Sequence, residues 1–145
     1  MKSVIQRVTE ASVSVDGQCV GHIAHGLLVY LGVEKGDGME QVLWLCSKIA
    51  KLRIFSDENG KMNLSLKDVG GSLLVISQFT LCANLRKGNR PSYNEAADPA
   101  DASLLYEKAL ETFRDLGFPV EKGVFGEHMH VTYTNDGPVT MLLDS

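Results

Sequence analysis

Between Ala11 and Val15 small polar and apolar residues alternate, Asp16-Gly17 interrupts them, and "QCVGHI" follows. Alternation on both sides of a two-residue Asp-Gly loop predicts a β-hairpin with a type I′ turn. The run "GLLVYLGV", Gly26 to Val33, is apolar without alternation, as expected of a strand covered on both faces. From Met39 to Leu52 the period changes: Val42, Leu45, Cys46, Ile49 and Leu52 recur every three or four residues. That spacing predicts an amphipathic helix, with Asp37 as its cap. Asn59-Gly60, inside "RIFSDENGKMNLSL", predicts a second tight hairpin, and "GSLLVISQFTL", Gly71 to Leu81, is the strongest strand pattern.

A polar stretch from Ala83 to Ala97 comes next, and connections of that length without regular structure are often functional. Asp98-Pro99 then reads as an N-cap followed by proline at the first helical position, with Asp101 adding favourable charge. Leu105, Ala109, Phe113 and Leu116 mark that helix's buried face, and Gly117 with Pro119 ends it. Strands are expected around "VFGEHMHVTY" and "VTMLLD", with "NDGPVT" between them as a turn. The expected fold is a single mixed α/β domain over residues 1–145: layered β/β/α, hairpin-rich, about seven strands, both helices on one outer face.

Composition refines this little. With 44% hydrophobic and 22% charged residues the chain is an ordinary globule, and no apolar run approaches the roughly 20 residues of a membrane span. The start lacks an apolar signal core, so a cytoplasmic protein is expected. Cys19, Cys46 and Cys82 form no CxxC pair, and buried reduced thiols are expected at all three. A net charge of −4 argues against indiscriminate nucleic-acid binding, but "RKGNR" holds three cations, Arg86, Lys87 and Arg90.

Hydrolase and nucleotide signatures are missing: there is no G-x-S-x-G elbow, no HExxH and no P-loop. His128 and His130 alone lack the ligand count of a metal site, and neither metal nor cofactor is expected. Two segments carry chemistry under one of two readings. Ser77, Gln78 and Thr80 are either polarity at a strand end or a donor cluster able to stabilise an oxyanion. "KGNRPSY" is either a solvated loop or a set of cations for phosphate, with Tyr93 for stacking.

Together, "VIQRVTEASVSV", "SQFTL", "KGNRPSY" and "FGEHMHVTYTNDGPVT" resemble the D-aminoacyl-tRNA deacylase family from the first residues to the last. Glu127, where a small residue is expected, and Asn84-Leu85, in place of a more acidic pair, depart from the pattern. The resemblance implies hydrolysis of the ester of D-aminoacyl-tRNA, and of glycyl-tRNA, by a homodimer whose active sites lie at the subunit interface. It implies that Gly137-Pro138 is cis, although proline statistics alone predict trans. The motif Gly137, Pro138, Val139 and Thr140 would enter the partner's site, its backbone carbonyls rejecting an L side chain. Arg7 would brace it and Met129 flank it.

Ser77, Gln78, Phe79 and Thr80 would form the catalytic tip. Gln78 and the N–H groups of Phe79 and Thr80 would polarise the ester carbonyl; Thr80 is either the nucleophile or, with no nearby base in view, the preferred positioning group. Arg86, Lys87 and Arg90 would meet tRNA phosphates. The rival readings are a non-catalytic dimeric RNA-binding module and a thiol enzyme using Cys82.

Overall fold

A computed structural model describes all 145 residues. The strands are β1 (Lys2–Val15), β2 (Gln18–Ile23), β3 (Gly26–Gly32), β4 (Phe55–Ser56), β5 (Met62–Leu64), β6 (Ser72–Ser77), β7 (Val120–Lys122) and β8 (His130–Asp144). The helices are α1 (Met39–Ala50) and α2 (Pro99–Asp115). Six strands form one sheet in the order β2-β1-β3-β6-β7, with β8 on the free side of β1; β4 and β5 make a separate hairpin.

Long β1 organises the sheet. β8 pairs with it from Lys2 to Ser14, while its other edge pairs first with β3, up to Val8, and then with β2, from Ala11. The sheet therefore curls, and β2 comes down onto β7. A Cβ on Gly21 would lie 2.7 Å from the Lys122 carbonyl oxygen, so only glycine allows that approach.

β3 and β6 pair in parallel, and their alternating residues feed two cores. Leu27, Val29, Leu31, Leu73 and Val75 face the helices, where they meet Leu45 and Ile49 of α1 and Tyr106, Leu110 and Phe113 of α2. Leu28, Leu74 and Ile76 point the other way, into a smaller core with Val8, Val13 and Ile23. Each such side chain contributes about 1.5–3 kcal/mol on burial, which makes the β3–β6 pair the rigid centre of the molecule. Both helices cover one outer face, as the layered α/β expectation requires.

The hairpin at Asp16-Gly17 has both turn residues at positive φ, +49° and +77°, the type I′ signature. Several details differ from the expectation. Asp37 does not cap α1. Its carboxylate accepts from the Met1 ammonium at 2.7 Å and from Glu34 N–H at 2.6 Å, and Gln41 Oε1 takes the Gly38 N–H instead. Leu116, the C-cap residue just past α2, is exposed, whereas Tyr106 and Leu110 within the helix are buried.

The strand expected to reach Leu81 ends at Ser77 and passes into a 3₁₀ turn, Phe79–Cys82. The two tail strands are one, β8, with "NDGP" as an interruption within it, and residues 124–129 form a loop ahead of it. Cys46 and Cys82 are buried, but Cys19 is exposed on β2.

Candidate active site

The tip of β6 is anchored by its neighbour. Gln78 N–H donates to the Leu31 carbonyl at 2.8 Å, and the following turn packs on Gly32, where a Cβ would meet Gln78 O at 3.0 Å and Cys82 Sγ at 3.1 Å. The turn's first hydrogen bond runs from Leu81 N–H to Gln78 O at 3.2 Å, which leaves the N–H groups of Phe79 and Thr80 ahead of its ladder. Gln78 Nε2 donates to Thr80 Oγ1, and no acid or imidazole is bonded to that hydroxyl. Thr80 therefore lacks the base that an attacking hydroxyl needs.

Beside this tip opens a cavity of about 540 Å³, lined by Ser77, Gln78, Phe79, Phe125, His128 and Met129 among others. Its size and mainly apolar wall suit a ring-sized group with a few polar anchors. Cys82 lies behind the turn, with its thiol on the Val33 carbonyl at 3.4 Å. Burial, helped by the Glu34 charge, pushes that thiol up to about 11. A neutral, 2% exposed thiol is no nucleophile, so the structure gives no support to a Cys82 enzyme.

The polar loop closes on itself through paired hydrogen bonds between Asn84 and Ser92, 2.8 and 3.1 Å. Arg86, Lys87 and Arg90 project from it, exposed and outside every ion pair of the molecule. Tyr93 leans edge-on against Phe79 with ring centroids 5.0 Å apart, which ties this loop to the tip of β6. Phe79 is itself 59% exposed, an open aromatic face beside the cavity.

The segment Asp136–Val139 bulges out of β8. Gln6 pairs with Thr140 and Val8 with Asn135, so the single residue Arg7 faces four residues of the opposite strand. The Gly137-Pro138 bond is cis, and Gly137 sits at φ +128°, a region that excludes side chains. A Cβ there would meet Val139 Cγ2 at 2.7 Å and Arg7 Nη2 at 3.1 Å.

Arg7, only 7% exposed, donates through Nη1 to the Ile54 carbonyl at 2.6 Å and through Nε to the Asp136 carbonyl at 3.2 Å. The Asp136 carboxylate lies 3.0 Å from the same nitrogen. Asn135 clips the far side: Oδ1 accepts from Val139 N–H at 3.1 Å, and Nδ2 donates to Gln6 Oε1 at 2.5 Å, where Thr140 Oγ1 also donates at 2.5 Å. Val139, 5% exposed, roots the bend in the helix-side core.

The sequence expectations thus fall into two groups. Ser77, Gln78, Phe79 and Met129 share one cavity wall, with Thr80 and Tyr93 beside it. Arg7, Gly137, Pro138, Val139 and Thr140 form the other group. Within one chain they are apart. Arg7 is in register with Leu27 and, across β3, with Leu73, five residues short of Gln78. For the bend on β8, one strand beyond Arg7, the separation from Gln78 is roughly 16 Å along the strands and roughly 14 Å sideways across three strand spacings.

A family profile described as D-Tyr-tRNA(Tyr) deacylase matches residues 4–144. The chain belongs to that family. A D-aminoacyl-tRNA deacylase of Thermomicrobium roseum is 58% identical over all 145 residues and 94% of its own length. One from Thermosipho africanus is 56% identical over the whole chain and 97% of its own. Among solved structures, one titled c-Myc DNA Unwinding Element Binding Protein superposes with a TM-score of 0.95 at 40% identity, covering 100% of this chain and 99% of that one. Another, titled as a probable eukaryotic D-amino acid tRNA deacylase, scores 0.83 at 15% identity over 99% and 98% of the two chains, which shows the shared fold.

Residues of this candidate site that the sequence did not single out include Phe125 on the cavity wall and Gln6 and Asn135, which bond to each other beside Thr140 at the bend; His128, weighed in the sequence only as a metal ligand, also lines the cavity. A signal existed only for Asn135, since Asn before a turn often bonds backbone beyond it. The cavity residues come from separate segments that only the fold unites.

Proposed function

We propose that this chain hydrolyses the ester joining a D-amino acid to the 3′ end of tRNA, and glycyl-tRNA likewise, releasing free amino acid and tRNA. The observation that carries the proposal is the tip of β6: Gln78 and Phe79 line the 540 Å³ cavity, and the N–H groups of Phe79 and Thr80 stand ahead of the turn's first hydrogen bond beside it. Membership of the D-Tyr-tRNA(Tyr) deacylase family supplies the substrate class.

An aminoacyl ester is already activated, so a positioned oxyanion site can suffice without a triad. Gln78 Nε2 and the two backbone N–H groups take the developing oxyanion. Thr80 orients Gln78, and the 2′-OH of the terminal ribose helps to activate the attacking water. The base-free surroundings of the Thr80 hydroxyl support a positioning role.

The working unit in this proposal is a homodimer. The bend at Gly137-Pro138 is too far from its own Gln78 to act there, and β8 leaves its outer edge unpaired along fifteen residues, a surface that invites a second chain. Brought over the partner's Gln78, the carbonyls of Gly137 and Pro138 stand where an L side chain would project, while a D side chain points away and glycine has nothing to reject. Main chain held by Arg7, Asn135 and buried Val139 cannot swing aside as a side chain can.

Arg86, Lys87 and Arg90 take phosphates of the acceptor end. Substrate and reaction together fit a cytoplasmic enzyme of translation quality control. The structural relative titled as a DNA-element binding protein keeps a second reading in view, a nucleic-acid-binding module without catalysis. Free amino acid released from D-aminoacyl-tRNA at substoichiometric protein supports the enzyme; tRNA binding with the ester left intact supports the module.

A further inference from the structure

Beyond the proposed site, the molecule carries a concave basic surface on the far flank of α1. Cys46 turns toward α2, where its thiol meets the Ala109 carbonyl. Trp44 lies two residues back, about 200° around the helix, and so faces away from α2. Trp44, Lys48, Lys51 and Arg53 line a cleft of about 470 Å³ with no carboxylate among its lining residues. Trp44, the chain's only tryptophan, is 43% exposed, and Lys48 Nζ stands 5.7 Å from its ring centroid.

Helix dipole alone explains Lys48 and Lys51 in and just past the last turn. It does not explain Arg53, which lies beyond the helix and is held by the Asn63 carbonyl at 2.7 Å, nor an open indole across from it. In a chain of net charge −4, three cations gathered around an aromatic face match a nucleic-acid strand, phosphates on the cations and a base on the ring.

The cleft's position gives it a task. Arg53 precedes Ile54, whose carbonyl binds Arg7, and Arg7 holds Asp136 next to Gly137. Cleft and bend therefore share one end of the molecule. Resting on the dimeric deacylase reading above, we propose that the cleft of Trp44, Lys48, Lys51 and Arg53 is a second tRNA contact, serving the active site of the partner copy into which its own bend reaches. Each tRNA is then gripped by both chains: the loop of Arg86 to Arg90 from the chain that supplies Gln78, and the α1 cleft from the chain that supplies Gly137-Pro138.

The test uses the full-length protein and deacylated tRNA, so binding is read apart from hydrolysis. Titration with tRNA should quench Trp44 fluorescence. A Lys48→Gln/Lys51→Gln variant should bind more weakly, with the slope of log affinity against log salt shallower by roughly two units. With esters, the variant's loss should fall on KM for D-aminoacyl-tRNA and spare D-aminoacyl-adenosine, which has no RNA body. Unchanged fluorescence, an unchanged salt slope, or equal losses on both esters would overturn the proposal. A chain that hydrolyses neither ester refutes the deacylase reading instead, and the fluorescence and salt titrations still decide whether tRNA occupies the cleft.

Discussion

Replacing Arg7 with methionine removes the brace of the bend while keeping most of the side chain's volume. Three interactions go: Nη1 to the Ile54 carbonyl, Nε to the Asp136 carbonyl, and the ion pair with the Asp136 carboxylate. The first is the costliest, because the bond to Ile54 is buried and the orphaned carbonyl loses about 1–3 kcal/mol. The second loses about 0.5–1.5 kcal/mol. The third adds about 1 kcal/mol at most, since the Asp136 side chain is 42% exposed and water replaces the partner. The expected destabilisation is about 3 kcal/mol, measured as a lower urea midpoint at unchanged m-value.

Asp136→Asn deletes only the ion pair and should move stability by no more than about 1 kcal/mol. Where Arg7→Met remains folded, its bend is loose, so hydrolysis of L-aminoacyl-tRNA should rise relative to the D form. A stability loss under about 1 kcal/mol, or a folded variant with the wild-type D/L ratio, would refute the view that Arg7 sets the bend's geometry.

Thr80→Ala and Thr80→Val should keep most of the single-turnover rate on D-aminoacyl-tRNA, and quenched reactions should yield no acyl-Thr80; a trapped ester on that residue would reverse the assignment. Lys87→Glu should weaken binding alike for every aminoacyl group and flatten its salt dependence; unchanged binding would mean that the loop is only solvated surface. Burial raises the Cys46 thiol to about 12 and the Cys82 thiol to about 11 from the ordinary 9.0. Above the ordinary value the unfolded chain loses these protons and the folded chain keeps them, so stability should fall as pH climbs from about 9 to about 11. In that window Cys46→Ala and Cys82→Ala should each flatten the fall. At pH 8 iodoacetamide should label Cys19 alone in the folded protein.

The elements with strict periodicity were legible in the sequence. The Asp16-Gly17 hairpin, the doubly covered β3, and both helices follow from local pattern, because turn chemistry and burial act within a few residues there. What escaped was set by distant partners. β6 stops at Ser77 because the chain must turn over Gly32, a contact across more than forty residues. Asp37 reads as a helix cap, but the Met1 ammonium draws its carboxylate away. "NDGP" reads as a turn between two strands. Long β1 keeps both flanks paired, and Arg7 fills the gap, so one strand with a bulge results. The candidate tip was visible as polar residues ending an apolar strand, whereas its cavity needed the loop around Phe125 and the start of α2 to come together.

The central claim is that main chain at Gly137-Pro138 sorts esters by the hand of their α-carbon. It is tested most directly by single-turnover hydrolysis of one tRNA carrying a D-amino acid, its L enantiomer or glycine in turn. The D and glycyl esters should be cleaved and the L ester left intact. Equal cleavage of the two enantiomers would contradict the claim.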